Sequence, residues 1–216
     1  MKSLGVLLYC ILSSIVAEAS SGTDTTGRHG FFYRGTEFTK IFTVQSGTPF
    51  LNAEGPALGW VVYYGARYDS VMIQYDIEDD QLVSHDITGA IRMQLVKEKI
   101  SAFGFSGREF VRLPGSDMFF ERIYHDHHDV LARWQKVLTR TGTEESRYRL
   151  YKMIFISNGK EVVEVQNNSD LVRYFGKNGK QVKEYLRNEG LSMKKDPEKT
   201  TSAVIRYADQ IGLHEQ

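Results

Sequence analysis

The stretch "YHDHHDV" (residues 124–130) gathers His125, His127, His128, Asp126 and Asp129 within five positions. In an extended strand His125 and His127 point the same way and could share one metal ion, with His128 or Asp129 as a third ligand. The flanks set a different expectation. Pairing Phe120 with Trp134 puts Glu121 opposite Arg133, Ile123 opposite Leu131 and Tyr124 opposite Val130, each a favourable cross-strand pair. That register leaves 125–129 as a loop whose side chains diverge into water. A preformed site also needs partners that orient the imidazoles, and the sequence identifies none. The cluster is therefore read as a solvated hairpin tip, with no metal or other cofactor.

Three further patterns suggest chemistry and lack a part of it. "DIEDD" (Asp76, Glu78, Asp79, Asp80) is acidic enough for calcium but has neither the glycine nor the distal Glu of a twelve-residue calcium loop. It reads as a solvated turn. "GFSGR" (Gly104 to Arg108) is one residue from a nucleophile elbow, which requires a strand-to-helix turn. Both flanks of Ser106 read as strands. "GKNGK" (Gly176 to Lys180) lacks the spacing and the Ser/Thr of a phosphate loop and reads as a break between helices.

The aromatics offer a binding surface instead. Trp60, Tyr63, Tyr64, Tyr68 and Tyr75 cluster in the first hairpins. An aromatic strip on a sheet face can bind glycan or apolar ligands, and Trp60, Tyr63, Tyr64 and Tyr75 are the candidate ligand-binding residues. The competing expectation is that they pack in the core or under the helices. Arg173, Lys177, Lys180, Lys183, Arg187, Lys194 and Lys195, interleaved with Glu184 and Glu189, read as a solvated helix face, with an anionic lipid headgroup or acidic glycan as the alternative partner.

These residues need elements to hold them. From 38 to 165 the chain is a series of short β-branched and aromatic runs, such as "WVVYY", "RYDSVMIQYD", "REFVRL" and "RLYKMIFI". They are divided by turn signals, of which Asn158-Gly159 is the sharpest and predicts a two-residue type I′ hairpin. Residues 139–148 are one long polar interruption, expected as an exposed loop. At 168 the period changes to nearly four. Asn168 and Ser169 are expected to cap a first helix. A second carries Val182, Tyr185 and Leu186 on one face and stops at Gly190. A third opens on Asp196 and Pro197 and stops at Gly212. The fold class is α+β: an antiparallel β-meander forming a curved sheet or partly open barrel (37–166), with a C-terminal cap of about three short helices (167–216).

The first residues carry an address. Lys2 precedes the apolar run "LGVLLYCILSSIVA", which ends in Ala17-Glu18-Ala19, the small-residue pattern of a signal-peptidase site. Residues 1–19 are read as a cleaved secretory signal and 20–36 as a flexible arm, so no transmembrane segment is expected after cleavage and the protein is expected to be periplasmic or secreted. Cys10, the sole cysteine of the 216 residues, leaves with the signal. The mature chain can then form no disulfide and has no cysteine nucleophile. Lys plus Arg equals Asp plus Glu, at 27 each, and this balance lacks the basic bias of a nucleic-acid binder.

The C-terminal stretch "YKMIFISNGKEVVEVQNNSDLVRYFGKNGKQVKEYLRNEGLSMKKDPEKTTSAVIRYADQI" resembles the ending of a large uncharacterised family of exported proteins from Bacteroidetes-type bacteria. "GTPFLNAEGPALGWVVYYGARYDSVMIQYDIEDDQLV" is similar to earlier parts of it, so the resemblance covers roughly 47–211. It implies a fold and carries no activity or catalytic residue. It also implies that "HDHHD" replaces an ordinary turn. The functional expectation is a non-enzymatic envelope or extracellular binding module, with a glycan, a lipid or an envelope protein as its partner. The alternative is a His/Asp-dependent hydrolase, metal-assisted or not.

Overall fold

The computed structural model describes residues 35–40, 47–86, 88–141 and 145–213. The signal and most of the arm expected at 1–36 lie outside the described residues.

Eleven strands form one antiparallel sheet. They are β1 (Thr36–Glu37), β2 (Ala57–Tyr63), β3 (Ala66–Asp76), β4 (Gln81–His85), β5 (Arg92–Gln94), β6 (Ile100–Phe105), β7 (Arg108–Arg112), β8 (Phe119–His125), β9 (Asp129–Thr141), β10 (Glu145–Ser157) and β11 (Val162–Glu164). Their spatial order is β1-β5-β4-β3-β2-β6-β7-β8-β9-β10-β11. Two meanders, β2 to β5 and β6 to β11, therefore meet where β6 returns to pair with β2. The connection between them runs under Tyr63, whose hydroxyl accepts the backbone N–H of Val96 at 3.2 Å.

The tight turns follow from glycine. Tyr64-Gly65 and Ser106-Gly107 are two-residue hairpin turns, joining the pairs Tyr63↔Ala66 and Phe105↔Arg108. Both central residues of each have positive φ, the type I′ geometry that matches strand twist. Asn158-Gly159 does not form the expected two-residue turn. The Asn158 side chain accepts the backbone N–H groups of Lys160 and Glu161, both at 3.0 Å, and stabilises a four-residue loop between Ser157 and Val162. The loop expected at 139–148 is also corrected. Residues 139–141 and 145–148 continue β9 and β10 as a long hairpin.

The sheet curls. Tyr75 in β3 touches Phe119 in β8, four strands away, with ring centroids 6.1 Å apart. The backbone N–H of Lys136 in β9 donates to the carbonyl of Ile77 just past β3. The end strands β1 and β11 stay unpaired with each other, so the curl is a partly open barrel, as expected. Across its inner face runs a row of paired residues, Val61, Phe103, Phe110, Glu121, Ala132 and Ile154, from β2 to β10. The first three belong to an aromatic-rich core with Tyr63, Ile73, Tyr75 and Phe119. The last two belong to a second core, beneath the helices.

Those helices are α1 (Asn168–Tyr174), α2 (Gly179–Asn188) and α3 (Pro197–Gln210). Leu171, Val182, Leu186, Val204, Ile205 and Ala208 pack with Val130, Ala132, Ile154 and Ile156, because helical spacing puts each apolar stripe on one side. The cap of α1 is Asn167 rather than Asn168. Asn167 accepts from Ser169 and Asp170, and Asp170 reaches back in a capping box. Asn168 instead accepts the backbone N–H of Met193 at 2.8 Å, tying the turn before α3 to α1. Asp196 and Pro197 open α3 as expected.

Candidate functional site

The three imidazoles of the histidine cluster go three ways. Tyr124 does pair with Val130, but a bulge at Ile123 shifts the rest, so Glu121 faces Ala132 rather than Arg133. His125 pairs with Asp129 at the end of the ladder, leaving a three-residue turn of 126–128. His125 Nδ1 is 2.6 Å from Asp129 and His127 Nδ1 is 3.1 Å from Asp126, both on exposed rings. His128 is the correction to a solvated tip. Its ring is 3% exposed and its Nδ1 lies 2.5 Å from Asp209 of α3, beside Tyr174 and Phe175. Each histidine thus has its own carboxylate, and the cluster does not assemble a shared metal site among the described residues.

The atoms that do converge are the carboxylates of Asp76, Glu78 and Asp79. This turn is not simply solvated either. Asp76 is fully buried, and the Lys40 ammonium sits 2.8, 2.7 and 2.7 Å from Asp76, Glu78 and Asp79. A side chain of the protein supplies the positive charge that an ion would bring. Burial pulls the Lys40 pKa down, and the three carboxylates outweigh it and hold it well above the usual lysine value. Tyr148 donates to Glu78 at 2.9 Å, and burial together with that carboxylate pushes its hydroxyl up to about 12. Asp80 turns inward to accept from Tyr75, and its other oxygen lies 2.7 Å from Lys97. Lys40→Met is expected to cost about 2 kcal/mol in urea unfolding, less than a fully buried pair because Lys40 keeps some solvent. Asp79→Asn, at the exposed end, is expected to cost under about 0.5 kcal/mol.

The candidate aromatics divide between the faces. Tyr63 and Tyr75 are 1% exposed and belong to the core, so they present no strip to solvent. Burial, and then Asp80, push the Tyr75 hydroxyl well up. Trp60 lies on the opposite face over Gly104, where a Cβ would meet its indole nitrogen at 2.6 Å and the carbonyl of Arg108 at 2.7 Å. The Arg67 guanidinium covers its ring at 4.1 Å. Tyr64 is an exposed turn residue. Ser106 is likewise exposed in its strand-to-strand turn, which an elbow cannot use.

Two features that the sequence hides lie on the inner face. The first is a polar seam between the two cores. Arg108 binds Glu121 through two hydrogen bonds, of 2.7 and 2.9 Å, and the Trp134 indole donates to the same carboxylate at 2.5 Å. Burial opposes the charge on Glu121, and the Arg108 and Trp134 hydrogen bonds prevail, holding its pKa below the ordinary carboxylate value. Two cations lie against Trp134, with Arg108 4.8 Å and Lys152 4.5 Å from its ring. The second feature is a cleft of about 760 Å³ between the sheet and α3. Ile123 and Ile154 give it an apolar floor, and Lys152, Lys195, Lys199 and Arg206 give it a cationic rim.

No known protein family, curated protein or solved structure matches this chain.

A second groove of about 680 Å³ lies along α1 and α2, beside Lys180, Lys183 and Arg187. The basic face expected on the helices is therefore present. Among the described residues no helix is long and apolar enough to cross a membrane.

Proposed function

We propose that the protein is a non-enzymatic binding module that works outside the cytoplasm, with its ligand held in the cleft between the sheet and α3. The cleft carries this reading. It is an open concavity where an apolar floor meets several cations, the combination that orients a small ligand. The groups that a hydrolase would use are committed elsewhere. His128 and Asp209 are buried against each other, His125 and Asp129 close a ladder, and Ser106 sits in a hairpin turn. The apolar run ending in Ala17-Glu18-Ala19 supports export.

Two measurements test the reading. Methyl resonances of Ile123 and Ile154 are expected to shift when acidic glycans, lipid headgroups and their neutral analogues are titrated into the full chain. A panel in which no compound moves them would rule the cleft out. Protein recovered from outside the cytoplasm is expected to begin at Ser20, and an uncleaved cytoplasmic chain would defeat the export reading.

A further inference from the structure

We infer that the cleft under α3 takes a phosphomonoester, a dianionic phosphate group whose organic part lies on Ile123 and Ile154; this rests on the binding-module reading above. The charges of the lining decide the class. Its two carboxylates are engaged within the protein. Asp196 caps α3 by accepting the backbone N–H of Lys199 at 3.0 Å, and Glu198 is paired with Lys152. Lys195, Lys199 and Arg206 are exposed and have no ion pair among the described residues. Arg206 is positioned by the Tyr124 ring, 4.9 Å away, which leaves its charge uncompensated.

The rim thus holds two more cations than carboxylates, in a chain whose net charge is zero. One carboxylate ligand has a single charge and two oxygens. A phosphomonoester carries up to two charges on three terminal oxygens and can accept from Lys195, Lys199 and Arg206 together. Ser202, also on the cleft wall, has a buried hydroxyl without a hydrogen-bond partner among the described residues and supplies one more donor. Lysines serve phosphate well as compact point charges, and the guanidinium adds a planar fork.

The phosphate could belong to a soluble ester or to a lipid headgroup, and the experiment separates them. Calorimetric titration of the full chain with phenyl phosphate is expected to show binding that weakens with added salt. Lys199→Met and Arg206→Met are each expected to weaken it roughly tenfold, the low end for hydrogen bonds to charged groups. Both positions are exposed, so unfolding of the variants is not expected, and circular dichroism checks it. Binding to phosphatidylcholine vesicles only when they contain phosphatidic acid points to a headgroup, and phenyl phosphate binding without vesicle binding points to a soluble ester. Benzoate binding as tightly as phenyl phosphate would overturn the dianion while leaving the cleft as a site. If neither compound moves the Ile123 and Ile154 methyls, the phosphate proposal falls, and the wider panel above decides the cleft. Unchanged affinity in the two variants would place the phosphate elsewhere and overturn the proposal.

Discussion

Glu121→Ala is expected to lower the unfolding free energy by about 3 kcal/mol, the lower end of what removing one member of a buried ion pair costs. The loss has two sources. The Glu121 side chain is 13% exposed and Arg108 27%, so truncation strands a guanidinium in a site that water reaches poorly. It also orphans the Trp134 indole N–H, which donates to the same carboxylate. Glu121 is the one charged member of a six-residue inner row, and the helical core begins at the next residue of that row, so the seam couples the two cores. Replacing both partners, as Arg108→Met with Glu121→Leu, removes the charge and its compensation together and is expected to cost under about 1 kcal/mol. Urea unfolding of the two variants decides the point, and a double variant no more stable than Glu121→Ala would refute the buried-charge account. The pH dependence gives a second check. A carboxylate whose folded pKa lies below its ordinary value near 4.5 contributes stability that is complete above that value and is lost as pH falls through the folded pKa. The native protein is expected to lose more stability than Glu121→Ala on acidification below about pH 4.5.

The β architecture is legible because period-two runs with short gaps leave few alternatives, and the helices because the Asp196-Pro197 opening and the Gly190 and Gly212 stops are chemistry that the sequence states outright; the α1 cap, one residue earlier than expected, is not. Glu121 was not legible as a seam residue. Within "DMFFERIY" it looks like the outward member of an alternating strand. Its inward position depends on the curl, which brings Arg108 and Trp134 to it from neighbouring strands. The long hairpin of β9 and β10 is not legible at 139–148 for a related reason. There the two strands pair mainly with each other, so neither face needs an apolar pattern and the residues look like a loop. Tyr64-Gly65 and Ser106-Gly107 carry a weaker turn signal than Asn158-Gly159 and yet form the type I′ turns. The Asn158 carboxamide diverted its own turn by capping the backbone two and three residues on. The cleft was invisible because Lys152 and Glu198 are 46 residues apart and meet only once α3 docks.

His128 shows how far one residue of turn geometry can carry. His128→Ala is expected to cost about 3 kcal/mol and to loosen α3 before the rest of the molecule, because it leaves the Asp209 carboxylate buried without its partner. The two side chains are 3% and 2% exposed and 81 residues apart in sequence, so their contact fastens the β8–β9 turn to the C-terminal helix. Besides His128, Asp209 has the Tyr124 hydroxyl beside it. Its Oδ2 is buried without a hydrogen bond among the described residues, and its charge, after burial itself, is what raises the nearby Tyr124 hydroxyl. The effect should be asymmetric. A carboxamide keeps an oxygen that can accept from the His128 ring and buries no charge, so Asp209→Asn is expected to cost about 1 kcal/mol, near the net value of one hydrogen bond. Hydrogen exchange reads the difference directly. In His128→Ala the amides of α3 should exchange faster than those of β2 and β6, and in Asp209→Asn they should not. Equal protection losses across helix and sheet would mean that the pair stabilises the fold as a whole, and the idea of a local fastener would fail.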